Sequence, residues 1–268
     1  MEQEDYLKNE DTEERVDVSS VEEPADEQAI EERSSGGDGH KRRPRRTARD
    51  SVRHIVACAI FIAIAFAVEF VFHIKVNFLT FDAKDAILSI GAMALGPISG
   101  LVMSLALSLL ELITISDTGL WGFLMNFVST GVFVVVSGLI YRKWRNLVGA
   151  GVGLLCSVVS MTGVMMAMNL LVTPIYMGVD RSTVAGMIPS LLLPFNLLKA
   201  LLNASLVLIL YKPSVTALRA SGLIQSDGEG KKFKFGKRSV LVLILGILLA
   251  AASVCLMIFV MKGSFSWT

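Results

Sequence analysis

The feature that most constrains this chain is an apolar run over residues 184–211, which carries Pro194, Asn196 and Lys199 near its middle. The run is long enough to cross a bilayer as a helix. A lysine at membrane depth costs about 2.5–3.5 kcal/mol on insertion scales, so it normally faces a polar partner or a wet cavity. We therefore expect the rest of the chain to build a cavity that uses Asn196 and Lys199, with a small polar aromatic molecule as its ligand.

The composition predicts an all-α integral membrane protein. Of 268 residues, 53% are hydrophobic and 18% are charged, and the mean hydropathy is +0.60. Several membrane spans explain such values directly, whereas a soluble domain with this composition would aggregate. The predicted helices cover residues 54–72, 84–95, 97–115, 121–141, 147–172, 184–211 and 239–261.

Prolines set the expected breaks between and within these helices. The Gly96-Pro97 pair divides a run that is too long for one span into two short helices. Pro174 is expected to end the helix that begins near residue 147. Pro189 and Pro194 are expected to bend the sixth span, and such bends are tolerated where the freed carbonyls face protein or a cavity.

The charges are segregated along the chain. Residues 1–50 hold 16 of the 24 acidic residues and then a basic cluster at 41–46. This segment has too little apolar surface to fold alone, so we predict a disordered tail. The basic cluster suits either nucleic acid or anionic lipid, or an anchor at the cytoplasmic mouth of the first helix. The positive-inside rule favours the anchor, and we expect no nucleic-acid partner.

The positive-inside rule also orients the chain, with a cytoplasmic N-terminus in the cell (plasma) membrane. The basic segments 41–53, 142–145 and 212–238 then lie inside, and the loops 73–83, 114–120 and 173–183 lie outside. The predicted divisions are a cytoplasmic tail (1–50), a six-helix membrane domain (51–213), a basic linker (214–238) and an additional transmembrane helix (239–261).

The side chains within the predicted spans suit binding better than catalysis. No His/Cys/carboxylate cluster has metal-ligand spacing, and no nucleophile motif or ATP-binding loop is present. The intramembrane polar residues are Glu111, Asn126, Asn169, Asn196 and Lys199. Glu111 either lines the cavity or reaches the interface. Asn126 serves either helix packing or ligand contact.

Two further patterns have alternative explanations. Ala59, Ala63 and Ala67 repeat every four residues, which is either a smooth stripe for close approach of another helix or ordinary alanine content. Asp82 and Asp85 precede and begin a helix, where carboxylates favour the positive end of the helix dipole and cap the first turn.

Five motifs occur together in one order. They are Phe81-Asp82-x-x-Asp85, Leu95-Gly96-Pro97-x-x-Gly100, Gly122-x-x-x-Asn126-Phe127, Asn169-x-x-x-x-Pro174-x-Tyr176 and Pro194-Phe195-Asn196-x-x-Lys199. In this order they resemble the substrate-binding S component of energy-coupling factor (ECF) vitamin transporters, in particular its riboflavin-specific type. The resemblance covers about residues 54–213.

The resemblance implies a six-helix membrane protein that captures riboflavin from outside. It would be a transporter subunit and not an enzyme, with riboflavin as transported ligand rather than cofactor. It would work with a transmembrane coupling subunit and two ATP-binding subunits. The tail of about fifty residues and the seventh span depart from this pattern. The alternatives are the same architecture with another vitamin or precursor, and a membrane enzyme or regulatory membrane protein.

The resemblance also implies roles for individual residues. Asn169, Asn196 and Lys199 would hydrogen-bond the flavin ring system, and Asn126 would join the site. The loop over residues 77–81 would act as a lid. The substrate-binding set thus also includes Leu79, Thr80 and Phe81, and the stripe of Ala59, Ala63 and Ala67 would dock on the coupling subunit.

Overall fold

A computed structural model describes residues 48–71, 74–76, 79–116, 118–222, 237–261 and 265–267. The predicted disordered tail lies outside the described residues up to residue 47, and so do residues 223–236 of the predicted linker. Those predictions therefore stay predictions. The first two residues of the predicted lid, 77 and 78, are also outside the described part.

The described residues form helices with three short strands, and this confirms the predicted fold class. In chain order the elements are α1 (Ala48–Val71), β1 (Ile74–Val76), β2 (Leu79–Phe81), α2 (Lys84–Leu95), α3 (Pro97–Thr114), α4 (Gly119–Lys143), α5 (Leu147–Met177), α6 (Arg181–Met187), a π-helical turn (Ile188–Leu192), α7 (Leu193–Ala220), α8 (Lys237–Met261) and β3 (Phe265–Trp267).

Five helical segments of the described chain are long and apolar enough to cross a membrane. They are α1, α3, α4, α5 and the continuous helix made by α6, the π-helical turn and α7. The short helix α2 completes the predicted set of six, and α8 contains the additional apolar stretch Val240–Leu256. The chain is therefore a six-helix bundle with one extra C-terminal helix.

The predicted break between α2 and α3 is present. Gly96 has a φ of 109°, a left-handed conformation that a side chain would disfavour, and Pro97 is the first residue of α3. The predicted end at Pro174 is wrong, because α5 continues to Met177. A proline in the last turn removes one donor, but its own carbonyl still accepts from the N–H of the left-handed cap Gly178.

The sixth span changes its winding at the first of its two prolines. Pro189 lies inside the π-helical turn, and Pro194 is the second residue of α7. A π-helical turn accommodates the missing N–H by widening the hydrogen-bond ladder locally. The expected proline distortion is therefore a turn within a continuous helix, and it places Asn196 and Lys199 immediately after the turn.

A glycine lets α2, α3 and α4 approach closely. A Cβ on Gly100 of α3 would lie 2.6 Å from both Cβ of Ala92 on α2 and Cγ1 of Val134 on α4. Only a glycine leaves room for that contact. The position of α4 against α2 and α3 fixes where its pocket-facing residues lie.

A small antiparallel sheet lies at one end of the bundle, where the sequence indicated only a loop. Strand β1 pairs with β2 as a hairpin, and the C-terminal strand β3 pairs with the other edge of β1. The additional helix α8 therefore returns the chain to the end of the molecule that carries the hairpin.

Candidate ligand-binding site

A cavity opens at the hairpin end of the bundle, with a volume of about 670 Å³ when its solvent-open part is counted. Its walls come from β2, the first half of α4, the last turns of α5 and the first turns of α7. The lining residues are Leu79, Thr80, Thr118, Trp121, Gly122, Met125, Asn126, Ser129, Met165, Asn169, Val172, Thr173, Tyr176, Phe195, Asn196 and Lys199. Aromatic and apolar walls with a few convergent polar groups are typical of small-molecule sites.

Six of the seven predicted binding residues meet in this cavity. They are Leu79, Thr80, Asn126, Asn169, Asn196 and Lys199. Phe81 does not line it. Its side chain is 3% exposed and packs edge-on against Phe195, with ring centroids 6.1 Å apart. The predicted role of Phe81 therefore changes, since it supports a lining residue from behind.

Lys199 has both of the environments that its sequence position predicted. It lines the cavity, and its Nζ donates to Asp82 Oδ2 at 2.8 Å and to the carbonyl of Thr80 at 3.3 Å. Both Lys199 and Asp82 are buried. A lysine ammonium has three N–H groups, so the bonds to Asp82 and Thr80 leave one further N–H.

A second buried lysine lies behind the pocket and was missed from the sequence. Lys84 Nζ is 2.7 Å from Glu111 Oε1, 2.9 Å from Glu69 Oε1 and 3.7 Å from Asp82 Oδ2. The ion pairs join the first turn of α2 to α1, to α3 and to the segment after β2. We call Glu69, Asp82, Lys84 and Glu111 the Lys84 cluster.

The two aspartates at the start of α2 act differently from the expected caps. The cap position is occupied by Ala83, and no side chain caps this helix. Asp82 belongs to the Lys84 cluster, while Asp85, in the first turn as expected, accepts a hydrogen bond from Thr130 Oγ1 at 2.6 Å. The position of these two aspartates near a helix start predicted capping. In the structure their side chains instead contact residues that are distant in the sequence, namely Thr130 and Lys199.

The three lining asparagines are each held by a hydrogen bond from Nδ2. Asn169 donates to the carbonyl of Met165 and Asn196 donates to that of Leu192, both one turn earlier on their own helices. Asn126 instead donates across helices to Glu111 Oε2 at 2.8 Å. Asn126 therefore joins two helices, which was one of the predicted alternatives, and it also lines the cavity, so its contact with a ligand stays a prediction.

Asn203 lies one turn after Lys199 on α7 and is buried behind the cavity. Its Oδ1 accepts from the N–H of Ala86, and its Nδ2 donates to the carbonyls of Asp82 and Lys199. These bonds hold the start of α2 against α7. Helix α7 thus contributes Asn196 and Lys199 to the cavity, while its Asn203 holds the neighbouring backbone.

The alanine stripe lies on the free face of α1. Ala59, Ala63 and Ala67 are all exposed, whereas Ala57 and Ala65 are buried. In its most apolar window α1 has 17% of its residues buried, against 39% to 56% for the other spans. The stripe therefore does not pack on any other part of the described bundle.

The chemistry of the cavity is hydrogen bonding between apolar and aromatic walls. Its polar groups are amides, hydroxyls and one ion-paired ammonium. Within the described ranges, no group of three or more His, Cys, Asp or Glu side chains has the arrangement of a metal site. The arrangement holds a ligand by shape and by a pattern of donors and acceptors.

Comparison with known proteins agrees with this architecture. Residues 53–211 match the family model described as the ECF transporter, substrate-specific component. The match spans more than half of the chain, and the chain belongs to this family. A solved structure of the S component of a bacterial ECF transporter is similar in fold, with a TM-score of 0.54 and 24% identity over 63% of this chain and 99% of that chain. A comparison with curated proteins found no match.

Family membership decides between the classes of function that the sequence left open. Substrate-specific components are the binding subunits of membrane transporters, which work with a coupling subunit and ATPases. The chain is therefore a multi-pass binding subunit of a membrane transporter rather than an enzyme.

Proposed function

We propose that this protein is the substrate-capture subunit of an ATP-driven ECF importer and that its ligand is riboflavin. The cavity is the observation that carries the proposal. It combines three asparagines and Lys199 with the aromatic side chains of Trp121, Tyr176 and Phe195. A flavin presents a flat ring with carbonyl and N–H groups along one edge, which suits stacking walls and fixed hydrogen-bonding groups.

The direction of capture follows from the two ends of the bundle. The lining residues of α4 lie in its first half, whereas Arg142 and Lys143 lie in its last turn, at the opposite end. The positive-inside rule assigns the basic end to the cytoplasm. The cavity then opens outside the plasma membrane, the N-terminus is cytoplasmic, and the hairpin is positioned to cover the ligand.

The free face of α1 supports a docking role in the same assembly. Ala59, Ala63 and Ala67 form an exposed row of small side chains, and small residues allow close approach of membrane helices. We assign this row to contact with the transmembrane coupling subunit, which in turn binds two ATPase subunits.

A thermal-shift measurement on the purified protein tests the ligand. Riboflavin is expected to raise the melting temperature, because a ligand that binds only the folded state stabilises it by mass action. Other vitamins, tested in the same way, should leave the melting temperature unchanged. Stabilisation by a different vitamin, with none by riboflavin, would contradict the proposed ligand and keep the transporter class.

A matched pair of variants on α7 locates the binding. Lys199→Ala should reduce the riboflavin-induced shift, because the variant lacks the ammonium donor. Leu197→Ala, two residues away with a side chain that is 38% exposed and outside the cavity lining, should retain it. Equal riboflavin-induced changes in the melting temperatures of both variants would show that riboflavin does not bind in this cavity.

A further inference from the structure

We propose that Glu111, which does not line the cavity, determines which ligand group is accepted beside Asn126. It does so by fixing the orientation of the Asn126 side-chain amide. The inference rests on the proposed ligand-binding role of the cavity. It assigns to Glu111 a role in ligand specificity that the sequence patterns did not predict.

The first step is the contact between the two residues. Asn126 Nδ2 donates to Glu111 Oε2 at 2.8 Å, and the other carboxylate oxygen of Glu111 lies 2.7 Å from Lys84 Nζ. Glu111 is 3% exposed. The carboxylate of Glu111 thus lies between the ammonium of Lys84 and the side-chain amide of Asn126, and its Oε2 accepts from the N–H edge of that amide.

The second step concerns the opposite orientation of the amide. Turning Asn126 by half a turn would put its carbonyl oxygen against the carboxylate of Glu111, two acceptors in contact in a buried place. An unmade hydrogen bond of this kind costs about 1–3 kcal/mol, more where a charged group is involved. The carbonyl oxygen of Asn126 is therefore the atom directed away from Glu111, and a ligand at that edge must present an N–H or O–H.

The third step extends the pattern to the other side of the cavity. Asp82 of the same Lys84 cluster accepts from Lys199, whose second N–H goes to the carbonyl of Thr80. Lys199 offers its remaining N–H and needs an acceptor on the ligand. The cavity thus selects a ligand edge with a donor toward α4 and an acceptor toward α7, as in a ring that carries neighbouring N–H and C=O groups.

Glu69 provides a matched control for Glu111. It contacts the same Lys84 Nζ, at 2.9 Å, and is 2% exposed, but it lies on α1 and has no place in the cavity lining. Glu69→Gln and Glu111→Gln each remove one carboxylate from Lys84. Only Glu111→Gln places a second amide beside Asn126, and that amide can donate to Asn126 Oδ1 and allow it to turn.

The orientation is tested without ligand on the full-length protein in detergent micelles, labelled with ¹⁵N-asparagine. The side-chain signal of Asn126 is identified by its loss in Asn126→Ser. It should move in Glu111→Gln, because its carboxylate acceptor is gone, and move less in Glu69→Gln, where that acceptor remains. If the Asn126 side-chain signal has the same chemical shift in Glu111→Gln as in the wild type, the proposal is overturned. This result holds whether or not riboflavin binds.

The consequence for binding is measured with riboflavin as the probe. Glu111→Gln should raise the Kd about tenfold, the equivalent of one hydrogen bond. Glu69→Gln should stay within about twofold of the wild type, although both variants lower the ligand-free melting temperature. Equal Kd values in the two variants would show a structural role only and overturn the assignment of specificity. A wild type that does not bind riboflavin would instead refute the proposed ligand, and the labelled-amide experiment would still decide the role of Glu111.

Discussion

Lys199 Nζ lies 2.8 Å from Oδ2 of Asp82, a residue 117 positions earlier in the chain. This ion pair joins the first turns of α7, which line the cavity, to the segment between β2 and α2. Both side chains are buried. The cost of burying Lys199 at membrane depth is therefore offset by its carboxylate partner, while the residue still lines the cavity.

Removal of the partner's charge should destabilise the fold. Asp82→Asn leaves Lys199 and Lys84 without one carboxylate each, and breaking a buried pair costs about 3–5 kcal/mol. We expect a large fall in the melting temperature in detergent. The exposed Asp180→Asn should melt like the wild type. A melting temperature of Asp82→Asn equal to that of Asp180→Asn would show that the ion pair does not hold the two segments together.

The sequence determined the elements whose causes are local. The run of apolar residues predicted the spans, and the Gly96-Pro97 pair predicted the break between α2 and α3. The unfavourable position of Lys199 predicted a polar partner or a cavity. Each of these follows from residues that are neighbours along the chain.

Contacts between distant residues decided the parts that sequence reasoning missed. The partner of Lys199 and the Lys84 cluster depend on how α1, α2, α3 and α7 come together, which no spacing in the sequence reveals. Phe81 is buried because it meets Phe195 in space. In the sequence, the position of Lys84 between Asp82 and Asp85 was a signal for the cluster. Helix capping explained the same two aspartates equally well.

Close packing at Gly100 gives a second prediction. Gly100→Ala should lower the melting temperature, because the new Cβ would lie 2.6 Å from atoms of Ala92 and Val134. The expected loss of stability is about 1–3 kcal/mol. Gly163→Ala is the control, since that exposed glycine of α5 has open space around it and alanine favours a helix. Equal melting temperatures of the two variants would show that close packing at Gly100 does not stabilise the bundle.

The docking face gives a third prediction. Ala63→Trp places a large ring in the middle of the exposed alanine row on α1 and should prevent close approach of the coupling subunit. We expect loss of co-purification with the coupling and ATPase subunits but unchanged ligand binding. Leu155→Trp, at an exposed position of α5, should assemble normally. Assembly of Ala63→Trp at the wild-type level would assign docking to another surface.

The C-terminal part of the chain gives a fourth prediction. A stop after residue 222 removes α8 and β3 but none of the lining residues, which end at Lys199. The hairpin keeps its own β1–β2 pairing. Ligand binding measured by thermal shift should therefore survive the truncation, and a folded truncated protein without binding would show that α8 or β3 completes the site.

The most direct test of the central claim is a fluorescence titration of riboflavin with the purified full-length protein. The flavin ring is expected to enter a cavity with aromatic walls, where its emission should be quenched until one riboflavin is bound per chain. We expect saturable quenching that Lys199→Ala weakens. Unchanged riboflavin emission at every protein concentration, in a preparation that is folded and carries no flavin, would contradict it.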